Sequence, residues 1–134
     1  MIDIEALLPP HKARDVSVPQ ILDGLVVVDF THYLAGPLAT MMLADLGATV
    51  IKIEKPGKGD DFRYYPPMHP RLSDQGAPFV WCNRNKKGVA LDMKTPGARK
   101  VIEDLIAKAD VIVENFSTGV TQRLGLDYEA CKKI

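Results

Sequence analysis

Apolar and polar positions along this chain come in blocks whose period switches between strand and helix. Residues 25–30, LVVVDF, are a continuous run rich in β-branched side chains, which predicts a strand buried on both faces. Residues 36–46 change to helical spacing: Pro37 suits a first turn, Leu38, Met42 and Leu46 share a face, and Gly47 ends the element. Residues 49–54, TVIKIE, predict a second strand, residues 78–85 a short helix, and residues 89–93, VALDM, a third strand. Thr95 caps the next helix with Pro96 at its first position, and Val101, Ile102, Leu105 and Ile106 repeat as one buried stripe. Residues 110–116, DVIVENF, predict a fourth strand, residues 120–124 another short helix, and LGLDYEACKKI a last one.

Strands alternating with helices define an α/β fold with a parallel sheet and crossover helices. Residues 1–21 hold Pro9, Pro10 and Pro19 without a sustained period and read as an N-terminal arm; residues 22–134 read as one domain. The pattern halts at Ile134 where a further strand is due, so the sheet is expected to be incomplete at its C-terminal side. The polar segment of residues 55–77 is long for a connection inside a domain, a length that goes with function or a bound partner.

Composition narrows the chemistry. With 134 residues, 46% hydrophobic and 25% charged, the chain is an ordinary globular domain, and 17 basic residues balance 17 acidic ones. That balance argues against nucleic acid or an anionic membrane as the main partner. No apolar run has the length of a membrane span, and Cys82 and Cys131 fit no pairing or metal motif, so a cytoplasmic protein with reduced thiols is expected. His11, His32 and His69 lack metal-ligand spacing, and no metal site is expected.

Three places at strand ends draw attention, because open α/β sheets bind ligands there. The turn THYLAGP leads from the first strand into a helix start, where N–H groups attract an anion or a polarised carbonyl oxygen. His32 within it reads on its own as a packed or hydrogen-bonded side chain. Lys52 and Lys55 stand at and just past the second strand, in reach of a phosphate, while Lys58 and Asp60 read as parts of a solvated loop. The third place gathers Arg84, Lys86, Lys87, Lys94 and Arg123 with Asn115 and Phe116, the mixture of cations, amide and aromatic face that suits a phosphate-bearing nucleotide.

Three blocks in order, LDGLVVVDFTHYLAGPLATMMLADLGATVIKIEKPGKGD, NRNKKGVALDMK and ADVIVENFSTGVTQRLGLDYE, resemble the opening of a family III CoA-transferase. That family, CaiB/BaiF, includes formyl-CoA and carnitine-CoA transferases and α-methylacyl-CoA racemases. The resemblance implies a Rossmann-like large domain with helices on both faces of the sheet, in a longer chain that forms an interlocked ring homodimer, with residues 55–77 wrapping the partner. It implies coenzyme A or acyl-CoA and a carboxylic acid as substrates. Carried over by position, Leu34 and Ala35 lie against the thioester, Lys55 stands where relatives often have arginine, and Leu91, Asp92, Met93, Lys94, Asn115, Phe116, Ser117, Arg123 and Leu124 line the nucleotide. Leu34 replaces the glutamine of formyl-CoA transferases and cannot hydrogen-bond an acyl carboxylate, which argues against formate and oxalate. Lysine at position 55 gives up the bidentate fork of arginine.

The family's nucleophile is an aspartate that attacks the acyl-CoA carbonyl to give a mixed anhydride. By position it falls beyond Ile134, so no catalytic residue is expected in this chain, which alone is expected to be inactive. Three other readings stay open. One is a racemase or other CoA-thioester enzyme of the family. A second is a nicotinamide or flavin dinucleotide domain with Glu54 placed to meet a ribose, against which stands the bulk of FTHY where a dinucleotide loop needs glycine. The third is a non-catalytic CoA-binding fragment.

Overall fold

The run VVVD becomes β1 (Val26–Asp29), the central strand of a computed structural model that describes residues 15, 17–68, 70–72 and 75–134. β2 (Thr49–Glu54) and β4 (Val111–Val113) pair with β1 on its two sides, and β3 (Lys87–Ala90) pairs with β2. All pairings are parallel, in the order β3-β2-β1-β4, with Val26 opposite Thr49, Val27 opposite Val111 and Ile51 opposite Lys87. The expected N-terminal arm lies outside the described residues apart from its last few.

Alternation along the strands decides which helix covers which face. Val28, Phe30 and Ile53 point to one side and pack with Ile102 and Ile106 of α3 (Pro96–Ile106) and with Leu126, between α4 (Val120–Leu124) and α5 (Tyr128–Cys131). Val27 and Val50 point to the other and pack with Ala44 of α1 (Ala35–Asp45) and Ala48. Beside α1, the buried Phe62, Phe79 and Cys82 seat α2 (Ala77–Asn83) against a 3-10 turn, Asp61–Tyr64. The parallel α/β sheet with helices on both faces is thus present.

Several boundaries and faces differ from the sequence pattern. β3 lies earlier than residues 89–93 because residues 92–95 fold into a turn: the Asp92 carboxylate accepts from the Lys94 N–H at 3.1 Å and its carbonyl accepts from the Thr95 N–H at 3.0 Å. The Thr95 hydroxyl then accepts from the Ala98 N–H and caps α3. β4 stops at Val113 because the Glu114 carboxylate turns back to accept from the Phe116 N–H at 2.8 Å. α2 ends at Asn83, short of residue 85, where Arg84 and Asn85 turn to bond Asp45. The α3 stripe is Ala98, Ile102 and Ile106, with Leu105 packed at its edge as expected, and Val101 faces outward. α1 buries Pro37, Thr40, Met41 and Ala44 and leaves Met42 and Leu46 half exposed, since a buried carboxylate beneath it draws the Thr40 hydroxyl inward.

The described residues of the 55–77 segment form two 3-10 turns, Asp61–Tyr64 and Pro70–Leu72, and a bridge between Met68 and Gly76. No helix among the described residues is long and apolar enough to cross a membrane.

Candidate functional site

The inward period that carries Val27 and Val50 also carries Asp29, Lys52 and Glu54, so the carboxyl ends of β1 and β2 place three ionisable groups under α1 and α2. Each is buried and each has a partner. Asp29 Oδ1 accepts from the Thr31 N–H and hydroxyl, and Oδ2 accepts from the Thr40 hydroxyl at 2.7 Å and Lys86 Nζ at 3.0 Å. Lys86 Nζ also donates to the Pro37 carbonyl and to Asn83. Lys52 Nζ lies 3.1 Å from Asp60 Oδ2 and donates to the Thr31 carbonyl at 2.7 Å. Glu54 receives a two-point contact from Arg63, whose guanidinium lies 3.7 Å over the Phe79 ring, and also accepts from the Asp60 N–H.

Burial pushes the Asp29 carboxyl up, but the Lys86 charge, the Thr31 hydrogen bond, the Lys52 charge and the Thr40 hydroxyl outweigh it, and its pKa falls below the usual value. Glu54 shows the same balance, burial being overcome by hydrogen bonds from Arg63 and the Asp60 N–H. Burial pulls the Lys86 ammonium down despite Asp29 beside it.

On the other side of the strand tips lies an open cleft of about 780 Å³. Its walls come from the end of β2 (Lys55, Pro56), the turn after β3 (Leu91, Asp92, Met93, Lys94), the segment after β4 (Phe116) and α4 (Val120, Arg123, Leu124), with His32 from the turn after β1. The His32 ring is tilted against Phe116 at 5.6 Å between centroids, and burial lowers its pKa, which favours the neutral imidazole. Among the described residues, the ammonium groups of Lys55 and Lys94 and the guanidinium of Arg123 meet no carboxylate within ion-pair distance. An apolar floor rimmed by unpaired cations suits a long ligand with an anionic end.

Eight residues named from the sequence therefore line one cleft: Lys55, Leu91, Asp92, Met93, Lys94, Phe116, Arg123 and Leu124. Leu34 and Ala35 are exposed at the start of α1, where no side chain caps the helix, and are not in the cleft wall. Ser117 is exposed beside it, and the Asn115 amide bonds the backbone of His32.

Other expectations are corrected. Lys52 does not reach out for a phosphate, because Asp60 and the Thr31 carbonyl hold it inside. Asp60 is not solvated but fully buried. Arg84 pairs with Asp45 and Lys86 with Asp29, while Lys87 opens β3 at the opposite end of the sheet from the cleft; none of the three joins it. Glu54, the carboxylate a dinucleotide would need for its ribose, has both oxygens occupied by Arg63. The signal for these buried pairs was present: lysine at position 52 shares the inward period of Val50, and a charge there requires an internal partner. Among the described residues no three His, Cys, Asp or Glu side chains gather as a metal site would need.

Known proteins match this arrangement. The model of CoA-transferase family III fits residues 22–134, and the chain belongs to that family. It is 48% identical over 112 residues to the acetyl-CoA:oxalate CoA-transferase of Acetobacter aceti, covering 84% of this chain and 28% of that protein. It is 45% identical over 113 residues to the succinyl-CoA:glutarate CoA-transferase of Mus musculus, covering 84% and 26%. The crystal structure of a CaiB/BaiF family protein from Brucella suis superposes with a TM-score of 0.80 at 42% identity, over 87% of this chain and 31% of that one. The chain thus spans about a quarter of the length of the relatives it matches.

Proposed function

We propose that these residues form the coenzyme-A-binding part of a CoA-transferase that moves CoA between an acyl-CoA thioester and a carboxylic acid. The observation that carries this is the cleft after β2, β3 and β4, where Lys55, Lys94 and Arg123 have no carboxylate within ion-pair distance among the described residues and stand over the apolar Leu91, Met93, Phe116 and Leu124. Phosphates of the nucleotide supply the missing negative charge, and the adenine and pantetheine cover the floor. The start of α1, uncapped by any side chain, faces the thioester, with Leu34 and Ala35 beside the acyl group.

No aspartate here is assigned as the nucleophile. Asp29 and Asp60 are buried in ion pairs, and the Asp92 carboxylate holds its own turn. We assign that role to an aspartate outside these residues, whose attack forms the acyl anhydride and releases CoA thiolate. An interlocked homodimer would cover the exposed Tyr64, Tyr65, Met68 and Trp81.

The test is calorimetric titration of the 134-residue chain with CoA and with NAD. Saturable CoA binding that weakens as salt rises, without NAD binding and without CoA transfer to an added acid, is the expected result. NAD binding in the same cleft, or turnover by this chain alone, overturns the reading.

A further inference from the structure

The turn from β1 into α1 has an unusual construction: each peptide group of residues 31–33 is held by a side chain from elsewhere. The Thr31 N–H donates to Asp29 and its carbonyl accepts from Lys52. The Tyr33 N–H donates to Asp60 Oδ1 at 3.2 Å, and its carbonyl lies 3.8 Å from Cys82 Sγ. Between them, the His32 N–H donates to Asn115 Oδ1 and the His32 carbonyl accepts from Asn115 Nδ2, both at 2.9 Å. Tyr33 has φ of +66°, a left-handed conformation that an aromatic residue keeps only where its surroundings over-determine it.

The Asn115 contact continues the sheet by other means. The last backbone bond between β1 and β4 runs from the Phe30 N–H to the Val113 carbonyl, after which the two strands part. Two residues on, a carboxamide does what a neighbouring strand would do, offering one acceptor and one donor to the same residue. With that pairing made, the amide is committed to the protein, and its neighbour Phe116 is the group that faces the cleft.

We infer that Asn115 is a positioning residue: its side chain fixes the His32 backbone, and through it the turn before α1, at a set distance from the Phe116 and Arg123 end of the cleft. This rests on the reading of the cleft as a coenzyme A site. A ligand that spans from nucleotide to thioester must meet both ends together, so fixing their separation favours the whole molecule over its parts. A fragment that occupies only the nucleotide end is indifferent to the clamp.

The test uses the 134-residue chain with Asn115→Ala and Asn115→Asp, the latter keeping the acceptor for the His32 N–H and losing the donor. Two probes are titrated, adenosine 3′,5′-bisphosphate and acetyl-CoA, and the His32 imidazole resonances are followed by NMR without ligand. Expected for Asn115→Ala is bisphosphate affinity within about twofold of the parent, acetyl-CoA affinity lower by about tenfold, and His32 resonances displaced as the ring leaves Phe116. Asn115→Asp should show a smaller displacement of the same signals, and it carries the test where the alanine variant does not fold. Equal loss of both probes makes Asn115 a ligand contact and overturns the inference, as do His32 resonances that stay in place. If the parent binds neither probe, the coenzyme reading fails, while the resonances of His32 still decide whether the clamp exists.

Discussion

The two sides of the strand tips use the same residue types to opposite ends. Under α1 and α2, Lys52 and Lys86 are buried against Asp60 and Asp29, and the half-buried Arg63 grips Glu54. Across the sheet, Lys55, Lys94 and Arg123 reach the cleft with no carboxylate opposite them among the described residues. Charge inside a protein is costly unless paired, so the first group is spent on holding the turn and the second is left for a ligand. A basic residue near a strand end is therefore not by itself a phosphate ligand; on β2 the inward position of Lys52 commits it to the closed side, while Lys55, just past the strand, is free to serve the cleft.

The sharpest way to break that contrast is to unpair the closed side. Lys86→Met leaves Asp29 buried without its cation and should cost about 3–5 kcal/mol, a large share of a domain's stability. Urea denaturation reads this directly. Adding Asp29→Asn should return part of the loss; no recovery would mean that Lys86 acts through its bonds to the Pro37 carbonyl and Asn83 alone.

Acid attacks the same side without mutation. Asp29 and Glu54 have pKa values lowered from 3.8 and 4.5, so their contribution is fully present above those values and is lost as pH falls through the lower folded-state ones. His32, lowered from 6.5, adds an earlier loss, because below that value the unfolded chain takes up a proton that the folded one resists. The urea midpoint should therefore decline gently below pH 6.5 and steeply in the carboxylate range. A midpoint flat down to the carboxylate range contradicts the burial of His32.

How much of this the sequence disclosed follows from which interactions are local. Strand and helix types came from short-range periods; Lys55, Lys94, Phe116 and Arg123 were legible from their place near strand ends, whereas Leu91, Asp92, Met93 and Leu124 came only with the family resemblance. Lys52 and Asp60 were misjudged because their partnership spans a loop whose path no period records. Lys86 and Asp29 lie 57 positions apart and meet only when β3 and α1 are in place. Gly36 is required for a reason that only the assembled turn shows. A Cβ there would lie 2.5 Å from Cβ and Cγ2 of Thr31, so the position needs glycine for packing and not for freedom of backbone.

The open side makes the converse prediction. Arg123→Ala removes an exposed cation that makes no ion pair among the described residues, so the unfolding midpoint should change little while affinity for CoA drops roughly 10- to 100-fold, the worth of one hydrogen bond to a charged group. Calorimetry at two salt concentrations should show a shallower salt dependence in the variant. A lost midpoint with unchanged affinity would move Arg123 to the structural side of the contrast.

The smallest effect tests whether the open side is built independently of its ligand. Lys94 is placed by the turn of residues 92–95, and that turn is tied to α3 by the Thr95 hydroxyl accepting from the Ala98 N–H at 3.3 Å. Thr95→Ala deletes the cap and should lower stability by about 1 kcal/mol. The Thr95 hydroxyl's own bond to the Asp92 carbonyl, at 3.0 Å, goes with it, but two bonds of the turn remain: the Lys94 N–H still finds Asp92 Oδ1 and the Thr95 N–H still finds the Asp92 carbonyl. CoA affinity should thus stay within about twofold of the parent. If it falls further, Lys94 depends on the helix cap for its position, and the cleft is held in shape by the same internal bonds as the closed side.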